Sequence, residues 1–126
     1  MVHEALTRRI IGCAMRVHGT LGSGFQEVIY QRALSIEFDL DNLKFEREQE
    51  MPIHYRERAI GSRRVDFFVE NSIMVEIKAI TKLEDVHLAQ ALNYLECYKI
   101  HVGLLLNFGQ RSLEFKRVHN KKSDRD

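Results

Sequence analysis

The stretch from Arg64 to Lys78 constrains the fold of this chain more than any other, because two runs of alternating apolar residues flank a short polar turn. Such alternation is the period of a pleated strand that buries one face. We therefore predict an antiparallel hairpin with its turn centred on Asn71. The apolar positions are Val65, Phe67 and Val69 in the first strand and Ile73, Val75 and Ile77 in the second.

The same register sets two acidic side chains opposite each other. Asp66 and Glu76 are equally distant from Asn71, on the strand faces that also carry Lys78. Like charges directly opposed in an antiparallel pair destabilise a sheet. A divalent cation between them would remove that cost, and hard cations such as Mg²⁺ take oxygen ligands. The alternative is a solvated strand face, since charged residues make up 29% of the chain.

Length and composition predict a single globular domain without a membrane segment. A chain of 126 residues can bury a hydrophobic core, and 44% hydrophobic residues are ordinary for a globular protein. The sequence has no apolar run long enough to cross a bilayer and no signal-peptide core. We expect one domain over residues 1–118 and a charged, disordered tail over residues 119–126. Cys13 and Cys97 are predicted to be buried free thiols, which favours a cytoplasmic location.

The formal net charge of +1 gives no sign of a protein whose whole surface binds nucleic acid. Two local basic clusters remain, and charge alone favours a solubilising surface for both. They are Arg56, Arg58, Arg63 and Arg64 ahead of the hairpin, and Arg111, Lys116, Arg117, Lys121 and Lys122 near the C-terminus.

Periodicity elsewhere predicts helices and further strands around the hairpin. Ser23 with Gln26 has the form of a capping box that begins a second helix. Thr81 with Glu84 has the same form at a third helix. The continuous apolar run 102–106 is typical of a central strand that is parallel to the one before it through a helical crossover. The predicted elements are helices over residues 3–18, 23–40 and 81–98, an edge strand or hairpin within 44–60 turning at 56–58, the two hairpin strands, and strands at 102–106 and 113–117.

Polar side chains share faces with apolar ones on both later helices. Glu27 lies one turn from Tyr30, beside a group expected to be buried, although a first-turn acid favoured by the helix dipole explains it equally well. Gln90 and Tyr94 are spaced to reach one shared partner, with His87 on the same face. The alternative there is an amphipathic helix with polar residues at its border.

The order of these elements and motifs resembles the PD-(D/E)XK nuclease superfamily. Val65-Asp66 with Glu76-Ile77-Lys78 fits its D…E-x-K signature, although Val stands where the signature has Pro. Gln90-Ala91-Leu92-Asn93-Tyr94 is similar to the Q-x-x-x-Y motif of the RecB-like branch. Gly24–Tyr30 has the form of the GxxExxY family, and the segments 17–22 and 106–109 look like that family too.

The resemblance implies an α/β fold, with a mixed central sheet flanked by helices, and a metal site. Asp66 and Glu76 would be ligands of Mg²⁺ or Mn²⁺, with the main-chain carbonyl of Ile77 as a third ligand. Glu27 would complete the site directly or through water. Lys78 would orient and help deprotonate the attacking water or neutralise charge on the phosphate.

Further residues that match the family motifs lie on the helices. Gln90 and Tyr94 would steady Lys78, metal-bound water or the scissile phosphate. His18, Tyr30 and His87 are auxiliary candidates. For His18, a structural hydrogen bond and a contact with substrate both stay open.

The leading hypothesis is a Mg²⁺- or Mn²⁺-dependent nuclease that hydrolyses phosphodiester bonds in nucleic acid, DNA in preference to RNA. The second is a nuclease fold used without catalysis, as a nucleic-acid-binding or regulatory protein. The third is an interaction module that meets no nucleic acid, with a homodimer supplying most of its surface.

Overall fold

The computed structural model describes residues 3–122, in which three helices flank one sheet. No helix within these residues is long and apolar enough to span a membrane. The helices are α1 (Glu4–Leu21), α2 (Glu27–Leu40) and α3 (Asp85–Tyr98). The strands are β1 (Phe45–Tyr55), β2 (Arg58–Val69), β3 (Ile73–Lys78), β4 (Val102–Asn107) and β5 (Glu114–His119).

The strands form one five-stranded sheet in the order β1-β2-β3-β4-β5. Neighbouring strands are antiparallel except β3 and β4, which are parallel and joined through α3. Every residue of β4 is buried, as the sequence predicts for a central strand. The hairpin of β2 and β3 pairs Phe67 with Val75 and Val69 with Ile73, which confirms the turn centred on Asn71.

The sheet separates two apolar cores, one packed on α1 and α2 and the other on α3. Phe67 and Val69 belong to the first core, as predicted, but Val65 belongs to the second. The prediction that all three share one face is therefore wrong. Arg47 pairs with Phe67 and Gln49 with Val65, and Glu48 between them has a left-handed φ of 54°. The change of face coincides with this irregularity at Glu48 and Asp66.

Beyond this point β1 and β2 continue as a long two-stranded arm, residues 50–64, paired from Glu50–Arg64 to Tyr55–Arg58. At its tip Arg56 and Glu57 have φ values of 49° and 68°, the left-handed pair typical of a tight hairpin turn. The turn therefore falls within the predicted residues 56–58, but Arg58 already belongs to β2 and pairs with Tyr55. Pro52 lies in β1, at the edge of the sheet, where its missing N–H is tolerated.

Both predicted capping boxes are wrong, because each helix begins about one turn later than the pattern suggests. The N-cap of α2 is Gln26, which is extended and makes no side-chain capping bond. The N-cap of α3 is Glu84, whose side chain forms a capping box with His87. Thr81 contributes only its carbonyl, which accepts a hydrogen bond from Gln110 Nε2 at 2.9 Å.

Two further predictions concern the cysteines and the C-terminal tail. Cys13 is buried, but Cys97 is exposed, so the prediction of two buried thiols holds for only one of them. The ordered chain also continues past residue 118: His119 ends β5 and Asn120 is buried, donating to the carbonyls of Leu95 and Ile100. The last residues of the predicted tail, 123–126, lie outside the described part of the chain.

Candidate active site

Asp66 lies where β2 changes face, and both of its carboxylate oxygens are held. Oδ2 accepts the main-chain N–H of Ile77 at 2.7 Å. Oδ1 accepts a hydrogen bond from Gln31 Nε2 at 2.9 Å, and Gln31 Oε1 accepts from Arg47 Nε at 2.9 Å. The carboxylate is thus fixed by the neighbouring strand and by α2, as pre-organisation of a ligand requires.

Glu76 is buried at 4% exposure, and its two oxygens differ. Oε2 lies 2.7 Å from Arg63 Nη2, whereas Oε1 is buried without a hydrogen-bond partner in the described part of the chain. Burial is the main cause that raises the pKa of Glu76 to about 8, and the charge of Asp66 and a hydrogen bond from the protonated carboxyl to Asp66 add to the rise. Arg63 and Lys78 oppose it. A buried acceptor without a donor is costly and calls for a missing partner, such as a proton or a cation.

Glu27 approaches this pair from the first turn of α2. The residue as a whole is exposed, yet partial burial of its carboxyl raises the pKa, while the charge of Lys78 lowers it. Asp66 again raises it and Arg63 lowers it. Because Glu27 and Glu76 both feel the same three charges, all five charged groups lie in one cluster. The role of Lys78 in this cluster stays a prediction.

A ready metal cage is not assembled by these acids. Among residues 3–122, no set of three His, Cys, Asp or Glu side chains is arranged to hold an ion. The donor set still fits a hard cation, because Asp66 and Glu76 offer carboxylate oxygens and Glu76 Oε1 lacks a partner. The roles of the Ile77 carbonyl and of Glu27 as ligands stay predictions.

Tyr94 is the polar residue of α3 that reaches the site, and it does so through Arg63. Tyr94 lies under the guanidinium of Arg63, 4.8 Å from the ring centroid, so its contact with Glu76 is indirect. Gln90 is exposed on the same helix. His87 has a structural role, because its Nδ1 accepts the main-chain N–H of Glu84 at 2.9 Å and caps α3.

His18 and Tyr30 both support the chain beside the site. His18 is buried, and its Nε2 lies 2.8 Å from the carbonyl of Gln110, which fixes the proton on that nitrogen. Tyr30 stacks on Phe108 at 4.5 Å and donates its hydroxyl proton to the carbonyl of Gly22 at 2.6 Å. The structure thus places a structural hydrogen bond on His18, one of the two options that the sequence left open.

Three functionally placed residues escaped the sequence reasoning, and one of them is Gln31, which donates to Asp66 Oδ1. Arg63 appeared only as one member of a basic cluster, with nothing to single it out. Asn107 is buried, and its side chain accepts the N–H groups of Ile80 and Gly109 while donating to the carbonyl of Ile80. It fixes the segment that follows Lys78, and its place in the 106–109 motif was the available signal.

Comparison with known proteins gives the family. A family model described as the PD-(D/E)XK nuclease superfamily matches residues 4–118. The chain therefore belongs to the PD-(D/E)XK nuclease superfamily, which confirms the predicted superfamily and the predicted mixed sheet flanked by helices. No curated protein matches the chain. The crystal structure of SSO0001 is similar, with 15% identity over 94% of this chain and 80% of that chain and a TM-score of 0.45.

Proposed function

We propose that this protein is a Mg²⁺- or Mn²⁺-dependent nuclease that hydrolyses phosphodiester bonds in nucleic acid, DNA in preference to RNA. The observation that carries the proposal is the buried Glu76 beside Asp66, with one oxygen that no donor among the described residues reaches when the carboxyl is ionised. Two carboxylates held together at a cost to folding are typical of a site that binds a cation. Membership of a nuclease superfamily supports a phosphodiester as the substrate.

In this proposal the carboxylates of Asp66 and Glu76 hold the cation, with the Ile77 carbonyl and Glu27 as further oxygen ligands. When bound, a divalent ion supplies a water of lowered pKa and compensates charge on the phosphoryl oxygens. The main-chain N–H of Ile77 and the amide of Gln31 keep the Asp66 carboxylate in one orientation. That rigidity favours hydrolysis, because no free energy is spent on reorienting the carboxylate in the transition state.

Lys78 acts on the pKa of both Glu27 and Glu76, so its side chain lies in the same cluster as these acids. Neighbouring carboxylates favour the charged form of an ammonium group and oppose its action as a free base. Lys78 therefore orients the attacking water and neutralises charge on the phosphate. Tyr94, which lies under the Arg63 guanidinium, and Gln90, one turn before it on α3, complete the contacts to substrate.

The arm, residues 50–64, is the surface best suited to the nucleic-acid backbone. Arg56, Arg58 and Arg64 are exposed along it. The guanidinium of Arg56 lies 5.9 Å from the ring centroid of Tyr55, so the tip presents a cation beside an aromatic face. Phosphate contacts of this kind dominate the affinity of nucleic-acid-binding proteins.

Within the superfamily we assign the chain to the GxxExxY family of the RecB-like branch. Gly24 has a positive φ of 110°, which suits a glycine. Tyr30 is locked against Gly22 and Phe108, so the first and last motif positions shape the turn that carries Glu27 to the site.

The test is cleavage of labelled single- and double-stranded DNA and RNA, with Mg²⁺, Mn²⁺ or excess chelator. We expect metal-dependent cleavage, reduced at least about 100-fold in Asp66→Asn and Lys78→Ala, the order expected for loss of a group that stabilises developing charge. Glu46→Gln, which changes an exposed acid on β1, is the matched control. Cleavage that survives in Asp66→Asn, Lys78→Ala and excess chelator would place the chemistry elsewhere.

A second candidate function is nucleic-acid binding without cleavage. It is favoured by the pairing of Glu76 with Arg63 and by the lack of a three-ligand set within residues 3–122. Binding with a steep salt dependence, in the absence of cleavage with any metal, would support it.

A further inference from the structure

Arg63 joins three elements at the candidate site. It lies at the base of the arm in β2, its Nη2 is 2.7 Å from Glu76 Oε2 in β3, and its guanidinium is 4.8 Å from the Tyr94 ring centroid in α3. The Arg63 side chain is 27% exposed, so part of it faces solvent. It is thus a cation already placed beside the acid that the proposed metal needs.

The pairing of Arg63 with Glu76 is incomplete on both sides. Arg63 Nε and Glu76 Oε1 are each buried without a partner in the described part of the chain. Arginine and carboxylate often pair through two parallel hydrogen bonds, which would satisfy both atoms. Here one bond is made and one donor and one acceptor stay unmatched. If the contact served folding alone, a second hydrogen bond would make it more stable. A residue that changes partner loses less interaction free energy when only one hydrogen bond has to break.

We propose that Arg63 is a substrate-binding residue that changes partner: its guanidinium donates a hydrogen bond to Glu76 in the metal-free protein and binds a nucleic-acid phosphate once a divalent cation has bound Glu76. This inference rests on the proposed function, since it needs a cation and a phosphodiester substrate. The exchange is one of ligands only, with no covalent step.

Charge decides the order of events. Arg63 holds Oε2, and the cation would take the free Oε1 of the same carboxylate. A guanidinium and a divalent cation on one carboxylate repel each other, so cation binding weakens the contact of Arg63 with Glu76 and releases the guanidinium. The Tyr94 face offers the displaced guanidinium a favourable contact, and the planar fork of arginine matches a phosphate. Cation and nucleic acid are then coupled through Arg63, and each raises the affinity of the other.

The first measurement is Mn²⁺ binding by isothermal titration calorimetry, without nucleic acid. Arg63→Ala should bind Mn²⁺ about tenfold more tightly than the unchanged protein, the order expected when one competing charged hydrogen bond is lost. Arg64→Ala is the control, because it removes the same charge from the exposed neighbouring position. The change in Mn²⁺ affinity in Arg64→Ala reports long-range electrostatics alone, and it should be several-fold smaller than the change in Arg63→Ala.

The second measurement is binding of a labelled DNA duplex, in chelator and in Ca²⁺, by fluorescence anisotropy. Both proteins carry Lys78→Ala to prevent cleavage. Without a cation, Arg63→Ala should leave affinity unchanged. With Ca²⁺ it should weaken binding about tenfold and lower the slope of log affinity against log salt by about one, as for one lost phosphate contact. Arg63→Gln, which keeps the side-chain stem against Tyr94, repeats both measurements should Arg63→Ala not fold.

Two outcomes would overturn the proposal. Mn²⁺ affinity that changes no more in Arg63→Ala than in Arg64→Ala would mean that Arg63 does not compete with the cation. Equal weakening of DNA binding with and without Ca²⁺ would make Arg63 a fixed phosphate contact. Either result leaves metal-dependent cleavage by the unchanged protein intact, so failure here is distinct from failure of the nuclease proposal.

Discussion

Replacing Glu76 by glutamine tests whether the buried carboxyl is held protonated in the metal-free protein. Burial, reinforced by the charge of Asp66, raises the pKa of Glu76 from 4.5 to about 8. A carboxyl whose pKa is raised on folding contributes stability below its unfolded pKa and loses it as the pH rises through the folded pKa. The free energy of unfolding should therefore fall between about pH 4.5 and about pH 8.

The size of the loss follows from the pKa change. Each pKa unit corresponds to about 1.4 kcal/mol. Between about pH 5 and about pH 9, ionisation of Glu76 should therefore remove about 4 kcal/mol from the free energy of unfolding. Glutamine cannot ionise, so Glu76→Gln should gain about this much relative to the unchanged protein over that interval. Any constant cost from losing the contact with Arg63 cancels in the comparison across pH.

The assay is urea unfolding followed by circular dichroism, in chelator, at several pH values. Glu46→Gln serves as control, because Glu46 is exposed and its replacement should leave the pH profile unchanged. A stability difference between Glu76→Gln and the unchanged protein that is constant across pH would refute the reasoning. It would mean that Glu76 stays ionised as a fixed ion pair with Arg63.

Three further predictions concern the site and its supports. Mn²⁺ binding at neutral pH should release about one proton, because Glu76 must ionise to bind; calorimetry in two buffers of different ionisation enthalpy measures it, and zero release would contradict it. Tyr30→Phe should cost about 1 to 2 kcal/mol of unfolding free energy, since the bond to Gly22 is lost; an unchanged urea midpoint would argue against this. Gly109→Ala should lower the free energy of unfolding by more than about 3 kcal/mol, because the new Cβ would overlap the Ile80 backbone. A variant with the melting temperature of the unchanged protein would contradict this prediction.

The hairpin register could be predicted from sequence because side chains alternate with a period of two residues. A slip of one residue would turn the apolar side chains of one strand away from the core, which favours a turn centred on Asn71. The same reasoning failed for Val65. The alternation holds only while the backbone stays extended, and the left-handed φ of Glu48 opposite Asp66 ends it. Glutamate gives no local sign of that conformation.

The capping boxes failed for a related reason. Ser23 and Thr81 have the right spacing, but the pattern does not say which of several adjacent residues becomes the N-cap. Glu84 is the N-cap of α3 because His87 can accept a hydrogen bond from its main-chain N–H, which is an uncommon use of histidine. Arg63 could not be predicted at all, because its partners lie in β3 and α3 and are brought to it only by the fold.

The distribution of satisfied and unsatisfied atoms across the cluster itself argues for function. Asp66 is fully held, with Ile77 and Gln31 on its two oxygens. Within this cluster, the buried atoms that lack a hydrogen-bond partner among the described residues are Glu76 Oε1 and Arg63 Nε. Apolar residues of similar volume in place of such a buried pair often leave stability unchanged or raise it, so folding alone gives no reason for the pair. A cation would satisfy the free oxygen of Glu76, and a phosphate would satisfy the free donor of Arg63. A divalent cation and a phosphate are also the two groups that phosphodiester hydrolysis brings together. We therefore infer that Glu76 and Arg63 exchange their mutual contact for these two ligands.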